Sequence, residues 1–225
     1  QLCNRLSGNR VHYSMNVIGG VKRDIGYEQM KDIERTFADF KPKIDDLRKI
    51  IYRDRTWLKR TRGIGLLTKE NAQSYCTVGP TSRASGIPHD VRLSSYAGYG
   101  LDGLKFRPIF KEEGDSWART AIRVDEAVQS VNIIEQCLGM FRDGPILAEW
   151  KGHPDGEAFS RVEAPRGELF YYIRGNGTPT LDRIKLRTPA FVNVPALGAM
   201  IPGAELADVP VITASVDPCI CCTDR

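Results

Sequence analysis

Cys219 and Cys222 stand three residues apart behind Pro218, in the run Asp217-Pro218-Cys219-Ile220-Cys221-Cys222-Thr223-Asp224-Arg225. Thiolates at i and i+3 can converge on one soft metal ion. Three chemistries share this spacing: half of a zinc site, a thioredoxin-like redox pair, and half of a larger thiolate-held centre. A structural zinc site takes four protein ligands, and the sequence has no second Cys-x-x-Cys and no histidine pair at zinc spacing. A redox pair is expected to open a helix after a strand, whereas this one stands at the chain end. Two such ligands need two more from elsewhere. Cys221 falls between them and is expected to point away.

Two further stretches carry chemistry-bearing residues. In Glu163-Ala164-Pro165-Arg166-Gly167 an arginine sits in a turn after a strand. Its guanidinium is permanently charged and polarises a neighbour without being consumed. The other stretch is Arg187-Thr188-Pro189-Ala190-Phe191-Val192-Asn193. Asp217, just ahead of Pro218, reads as a turn cap. The remaining cysteines, Cys3, Cys76 and Cys137, are isolated; Cys76 reads as a buried small hydrophobe. His12 is a lone, structural histidine. Clustered thiols in a chain of this size point to metal or redox chemistry in a reducing compartment.

The elements that must position these residues follow from periodicity. Apolar residues Met30, Ile33, Phe37, Phe40, Ile44, Leu47 and Ile51 alternate three and four apart, predicting a long helix or helical hairpin over 26–55. Pro42 lies inside it, so a kink or restart is expected there. A short helix is expected over 68–75 with Thr68 as cap. Residues 76–87 read as a loop rich in small residues, and 94–115 as irregular structure. A second long helix is expected over 116–141, with Arg119 and Arg123 as ordinary surface charges. Residues 157–163, 168–174 and 181–186 read as strands of a small antiparallel sheet, with Gly175-Asn176-Gly177 as a turn. Helix is expected again over 190–200, and the apolar run 209–216 delivers the cysteines. The fold class is α+β: a mainly helical body over 1–150, then a small sheet and a metal-ligand segment over 151–225.

The chain has 225 residues, an apolar fraction of 41% and a net charge of +4 with both signs interspersed. That composition supports a packed core. It offers no clustered basic footprint, so nucleic acid is not an expected partner. No apolar run approaches the ~20 residues of a membrane helix. The chain opens Gln1-Leu2-Cys3 without an initiator methionine or an apolar leader, which is expected of a processed chain or one piece of a larger subunit.

The terminal run resembles the Asp-Pro-Cys-x-x-Cys motif of [NiFe]-hydrogenase large subunits, where a precursor tail is cut off shortly after the second cysteine. Ala164-Pro165-Arg166-Gly167 resembles the same family's segment whose arginine lies over the open face of the metal pair. Segments such as Ser7-Gly8-Asn9-Arg10, Gly19-Gly20-Val21, Val78-Gly79-Pro80, Ser85-Gly86-Ile87 and Gly114-Asp115-Ser116 look like those shared by membrane-bound, energy-converting (group 4) hydrogenases and the quinone-site large subunit of complex I. The complex I subunit has lost the metal thiolates; Cys219 and Cys222 are intact here, which favours the hydrogenase.

The resemblance implies a catalytic role for Arg166, Asp217 and Cys219, with Asp217 paired to Arg166. Cys219 would hold nickel terminally and Cys222 would bridge to iron. Pro165, Pro189 and Ala190 would border the cofactor, a Ni–Fe centre with CO and two cyanides. The family often has Ser or Thr where this chain has Ala190, so one side-chain hydrogen bond to a cyanide is lost. The implied partners are a chain supplying the other Cys-x-x-Cys, which residues 1–225 lack, an iron–sulfur small subunit with [4Fe-4S] clusters, ferredoxin, and membrane subunits. The chain would be the C-terminal portion of a split or cut large subunit, cytoplasmic and peripheral on the membrane. A complex I-like or sulfur- or quinone-linked relative without hydrogenase activity is the alternative, and a zinc-binding interaction module is a further one.

Overall fold

The computed structural model describes residues 2–11, 13–94, 96, 99 and 104–224. His12 and Arg225 lie outside the described residues, as does part of the stretch 94–115. A short helix α1 (Leu2–Ser7) leads into a two-strand ribbon, β1 (Asn16–Val17) and β2 (Gly20–Val21). The body of the fold is α2 (Tyr27–Arg53) packed on α6 (Ser116–Gly139). Between them come α3 (Arg55–Thr61), α4 (Lys69–Ser74) and α5 (Gly79–Arg83). Together with the sheet described next, these elements give the α+β class expected from periodicity.

Helix α2 runs without a restart through Pro42. Both Pro42 and Ala38, whose carbonyl loses its N–H partner, are exposed, so the freed oxygen is open to solvent and the helix needs no restart there. The opposite face of α2 buries Ile33, Ile44 and Ile51. Ile44 and Ile51 meet Trp117, Ala118, Ala121, Ile122, Val124 and Val131 of α6 in one core cluster. The Trp117 indole N–H donates to the Ile51 carbonyl at 3.0 Å and pins the two helices in register. Asp115 caps α6, its carboxylate accepting from the Ala118 amide at 2.7 Å and the Gly63 amide at 2.8 Å.

The sheet is antiparallel in the order β3 (Asp155–Ala164), β4 (Gly167–Asn176), β5 (Arg183–Arg187). All three strands fall where alternation placed them, each extended or shifted by a few residues. Two residues, Pro165 and Arg166, connect β3 to β4, because Ala164 pairs with Gly167. Strand β5 runs into α7 (Pro189–Asn193), a 3-10 turn and α8 (Leu197–Met200), so the expected helix over 190–200 is broken rather than continuous. The apolar run near the end is helical, α9 (Val209–Val216), and packs on α6. Its Ile212 and Val216 join Leu67, Ala72, Ala196 and Met200 in a second core cluster. A last turn of helix, α10 (Ile220–Thr223), carries the thiols.

Two local expectations are corrected. Residues 79–83 are helix, not loop, and all five are buried; contact with α6 and β4 holds a turn that its Gly-Pro composition alone does not favour. Cys76 is exposed rather than buried. It follows α4 with φ +52°, the left-handed geometry that ends a helix, and its side chain faces outward.

Candidate metal centre

Helix α9 ends in a hinge. Asp217 has φ +57° and ψ +58°, a left-handed conformation rare outside glycine and asparagine. That residue turns the chain so that Cys219 opens α10. The carbonyls left over at the end of α9 are claimed by a half-buried arginine: Arg123 donates to the Ser215 carbonyl at 2.7 Å and to the Val216 carbonyl at 2.9 Å. Its neighbour Arg119, fully buried, donates to the Ser215 hydroxyl at 2.8 Å and to the carbonyls of Gly65 and Gly114. Arg119 and Arg123 are therefore interior groups, not the surface charges expected from their spacing. Burial pushes both guanidiniums well below their usual range, Arg119 to about 9 and Arg123 to about 10.

Arg166 reaches the hinge from the hairpin tip. Its Nε donates to the Asp217 carbonyl at 2.8 Å and lies 3.1 Å from the carboxylate Oδ2; Nη2 donates to Oδ1 at 3.2 Å. Both side chains stay partly exposed, so this pair contributes orientation more than stability. The tip is seated backbone to backbone: Gly79 (φ +67°) and Gly167 (φ +128°) face each other with no room for a side chain at either. Asn193, buried at the end of α7, ties the seat together. It accepts from the Val78 amide at 2.9 Å and donates to the carbonyls of Val78 at 3.1 Å and Arg166 at 3.2 Å. Asn193 stands in the Thr188-Pro189-Ala190 stretch, and a polar residue closing an apolar turn is the one signal in the sequence that marks it.

The sulfurs of Cys219, Cys221 and Cys222 lie within 4.8 Å of one another. Cys221 does not point away: its sulfur is 3.2 Å from that of Cys219, because one turn of helix folds the intervening residue back. Pro189 and Ala190 are buried at the start of α7, which packs on α10. The Thr188 hydroxyl donates to the Cys222 carbonyl, so it is not free to replace the hydroxyl that Ala190 lacks. Pro165 and Asp217 border one cavity. The sites expected from sequence thus fall around one place in the fold. Soft sulfur donors converging beside a fixed cation fit a thiolate-bound metal centre.

Hydrogen bonds from Cys221 and then Cys222 lower the Cys219 thiol to about 7, with the Arg166 charge adding to the effect, whereas burial and the neighbouring Cys219 push Cys222 up to about 11. In the metal-free chain, iodoacetamide is expected to alkylate Cys219 well before Cys222 at neutral pH. The rate should climb through about pH 7 as the thiolate fraction grows. Peptide mapping that finds Cys219 and Cys222 labelled equally would contradict this arrangement.

Missed by the sequence reading is a buried ionic cluster next to the site. Arg83 lies 2.8 Å from both Glu126 and Glu163 and 3.7 Å from Asp90. Asp90 is in turn forked onto Arg92, at 2.6 Å at the shortest.

Comparison with known proteins supplies the family. The sequence matches the respiratory-chain NADH dehydrogenase 49 kDa subunit family over residues 1–153 and 149–225. It is 39% identical over 227 residues to the carbon monoxide-induced hydrogenase of Rhodospirillum rubrum, covering 97% of this chain and 61% of that protein. It is 38% identical over 240 residues to the membrane-bound hydrogenase subunit alpha of Pyrococcus furiosus, covering 98% and 55%. In three dimensions it resembles a chain of the membrane-bound sulfane sulfur reductase, an archaeal respiratory membrane complex, with a TM-score of 0.92 and 34% identity, covering 100% of this chain and 63% of that one. The chain therefore spans somewhat over half the length of the relatives it matches. With the family matched from end to end of its sequence, this chain belongs to the 49 kDa subunit family of the respiratory-chain NADH dehydrogenase.

Proposed function

We propose that this chain is the catalytic large-subunit portion of a [NiFe]-hydrogenase of the membrane-bound, energy-converting type, interconverting H2 with protons and electrons. The observation that carries the reading is the convergence of the Cys219 and Cys222 thiols beside the Arg166–Asp217 pair. The named relatives include two hydrogenases that match nearly the whole of this chain. A neighbouring chain or segment completes the set with a second Cys-x-x-Cys.

When bound, a nickel–iron centre with CO and two cyanides supplies the redox change and Lewis acidity for heterolytic H2 cleavage. Cys219 Sγ and Cys222 Sγ hold it, and soft thiolates suit both metals. With that centre bound, Cys219 Sγ would be the group placed to accept a proton. Arg166, locked onto the Asp217 carbonyl and carboxylate, fixes a positive charge at the open side and keeps it from swinging away. Pro189 and Ala190 border the cofactor as apolar wall, which excludes water. Electrons would go to [4Fe-4S] clusters of a small subunit and to ferredoxin. No helix among the described residues is long and apolar enough to cross a membrane, so membrane attachment falls to partner subunits.

Elemental analysis of the purified assembly tests this, together with infrared bands for CO and cyanide. Nickel and iron with those bands are expected; stoichiometric zinc, or no metal, would overturn the proposal. Arg166→Lys should retain the metals yet slow H2 oxidation by about 10²–10³-fold, the cost of losing one fixed donor at a reacting centre. The likeness to the sulfane sulfur reductase chain favours one second reading, a sulfur-reducing relative. Sulfur reduction without H2 uptake by the same preparation would select it.

A further inference from the structure

A cavity of about 400 Å³ is lined by Asp217 and Pro165 and, on α6, by Arg123, Glu126, Ala127 and Ser130. Of these, Ser130 is exposed, which puts that end of the lining at the surface. At ~30 Å³ per molecule of liquid water, it holds a file of several waters. Arg83, Arg92, Glu163 and Tyr99 line its other side.

The carboxylates around it differ in how they are committed. Asp90 gives both oxygens to Arg92. Glu163 gives one oxygen to Arg83 and the other to the Val91 amide at 3.1 Å. Asp217 gives both to Arg166. Glu126 gives only Oε1, which takes Arg83 Nε at 3.0 Å and Nη2 at 2.8 Å. Among the described residues, none donates to Glu126 Oε2. One carboxylate oxygen, on the wall of a polar cavity, is therefore left for a proton.

We propose that this cavity is a proton conduit between the Asp217 side of the metal centre and the protein surface, with Glu126 as its proton-carrying carboxylate. This rests on the hydrogenase reading, in which each H2 releases two protons. A proton arriving through water on the Asp217 side binds Glu126 Oε2. A second water at the Ser130 mouth takes it to bulk solvent, and Glu126 returns to the carboxylate. One proton moves per cycle and no charge is left behind. Burial pushes the Glu126 carboxyl up against the pull of Arg83 and Arg92, while Asp90 adds to the rise. Arg123 and Glu163 face the same space. A carboxyl so placed takes and releases protons nearer neutrality than an ordinary glutamate.

The test uses the assembled complex with Glu126→Gln and Glu126→Asp. Gln keeps the oxygen that accepts from Arg83 and cannot carry a proton. Infrared difference spectra across pH should show a carboxyl C=O band titrating above the ordinary glutamate range, absent in Glu126→Gln. With metal content unchanged, Glu126→Gln should slow H/D exchange and H2 oxidation by about 10²-fold, the usual size of a lost proton-transfer group. Glu126→Asp should recover part of that rate. A band that persists in Glu126→Gln, or a wild-type rate and pH profile in that variant, overturns the proposal. Should Glu126→Gln fail to assemble, Ala127→Leu decides: it fills the cavity without touching a charge, and unchanged H/D exchange there overturns the conduit. A complex without nickel would sink the hydrogenase reading instead, and the infrared band would still report whether Glu126 holds a proton.

Discussion

Gly79→Ala is expected to lose about 3–5 kcal/mol of stability, at the extreme of single substitutions. An alanine Cβ at that position would sit 2.4 Å from the Arg166 carbonyl oxygen and 2.4 Å from the Gly167 Cα, closer than real Cβ atoms approach anything. Both obstacles are backbone, so no rotamer change relieves them. The left-handed φ of +67° adds about 1–2 kcal/mol for any residue with a Cβ. Relief comes only by pushing the hairpin tip off α5, which breaks the Asn193 bonds to Val78 and Arg166 and moves the guanidinium away from Asp217. A lowered urea midpoint is the expected result, together with lost H2 oxidation if the proposed hydrogenase function holds. A variant with wild-type stability and activity would show that the tip is not seated as described.

Arg83→Met is the second. Arg83 is 1% exposed and holds Glu126, Glu163 and Asp90 around one guanidinium. Methionine fills much of the volume and leaves three carboxylates facing one another. Breaking a buried ion pair from one side costs about 3–5 kcal/mol, because the remaining charge is uncompensated. The loss should depend on pH. Burial pushes Asp90 up, but Arg92 and then Arg83 more than offset it and hold its carboxyl low. Glu126 is already raised. Without Arg83 both rise from their wild-type values, so the folded variant binds protons more tightly than the folded wild type does. The deficit relative to wild type is then smallest below the carboxyl pKa values of the folded wild type. It grows as pH rises through the folded values. Denaturation at pH 5 and pH 7.5 compares the two; a deficit independent of pH would mean the carboxylates find other partners.

The parts of this molecule that were readable from sequence are those written in local chemistry. Cys219, Cys222, Arg166 and Asp217 stand in short motifs, and the helices and strands follow from apolar spacing. The parts that were not readable depend on contacts distant along the chain. Arg119 and Arg123 are spaced like any solvated pair on a helix. Their burial is decided by Ser215 and Val216, more than ninety residues onward. Arg83 and Glu126 are 43 apart and Arg83 and Glu163 are 80 apart, so no window of sequence shows that cluster. Helix α5 carries Gly-Pro, a turn signal, and becomes helical only inside a packed crevice. The direction of Cys221 depends on a single turn of helix set by the Asp217 hinge, which spacing alone does not show.

Strand β4 begins at the residue after Arg166, and β5 ends at the residue before Thr188. These two strands are bonded to each other, with Phe170 opposite Arg187. Thr188 grips the carbonyl of Cys222, while Arg166 grips Asp217. One ladder therefore calibrates both clamps on the cysteine segment. A slip of a single residue would turn every side chain of β5 to the opposite face and carry Thr188 off its mark. The spacing between guanidinium and thiols is measured by pleats, in steps of a whole residue, and has no intermediate setting.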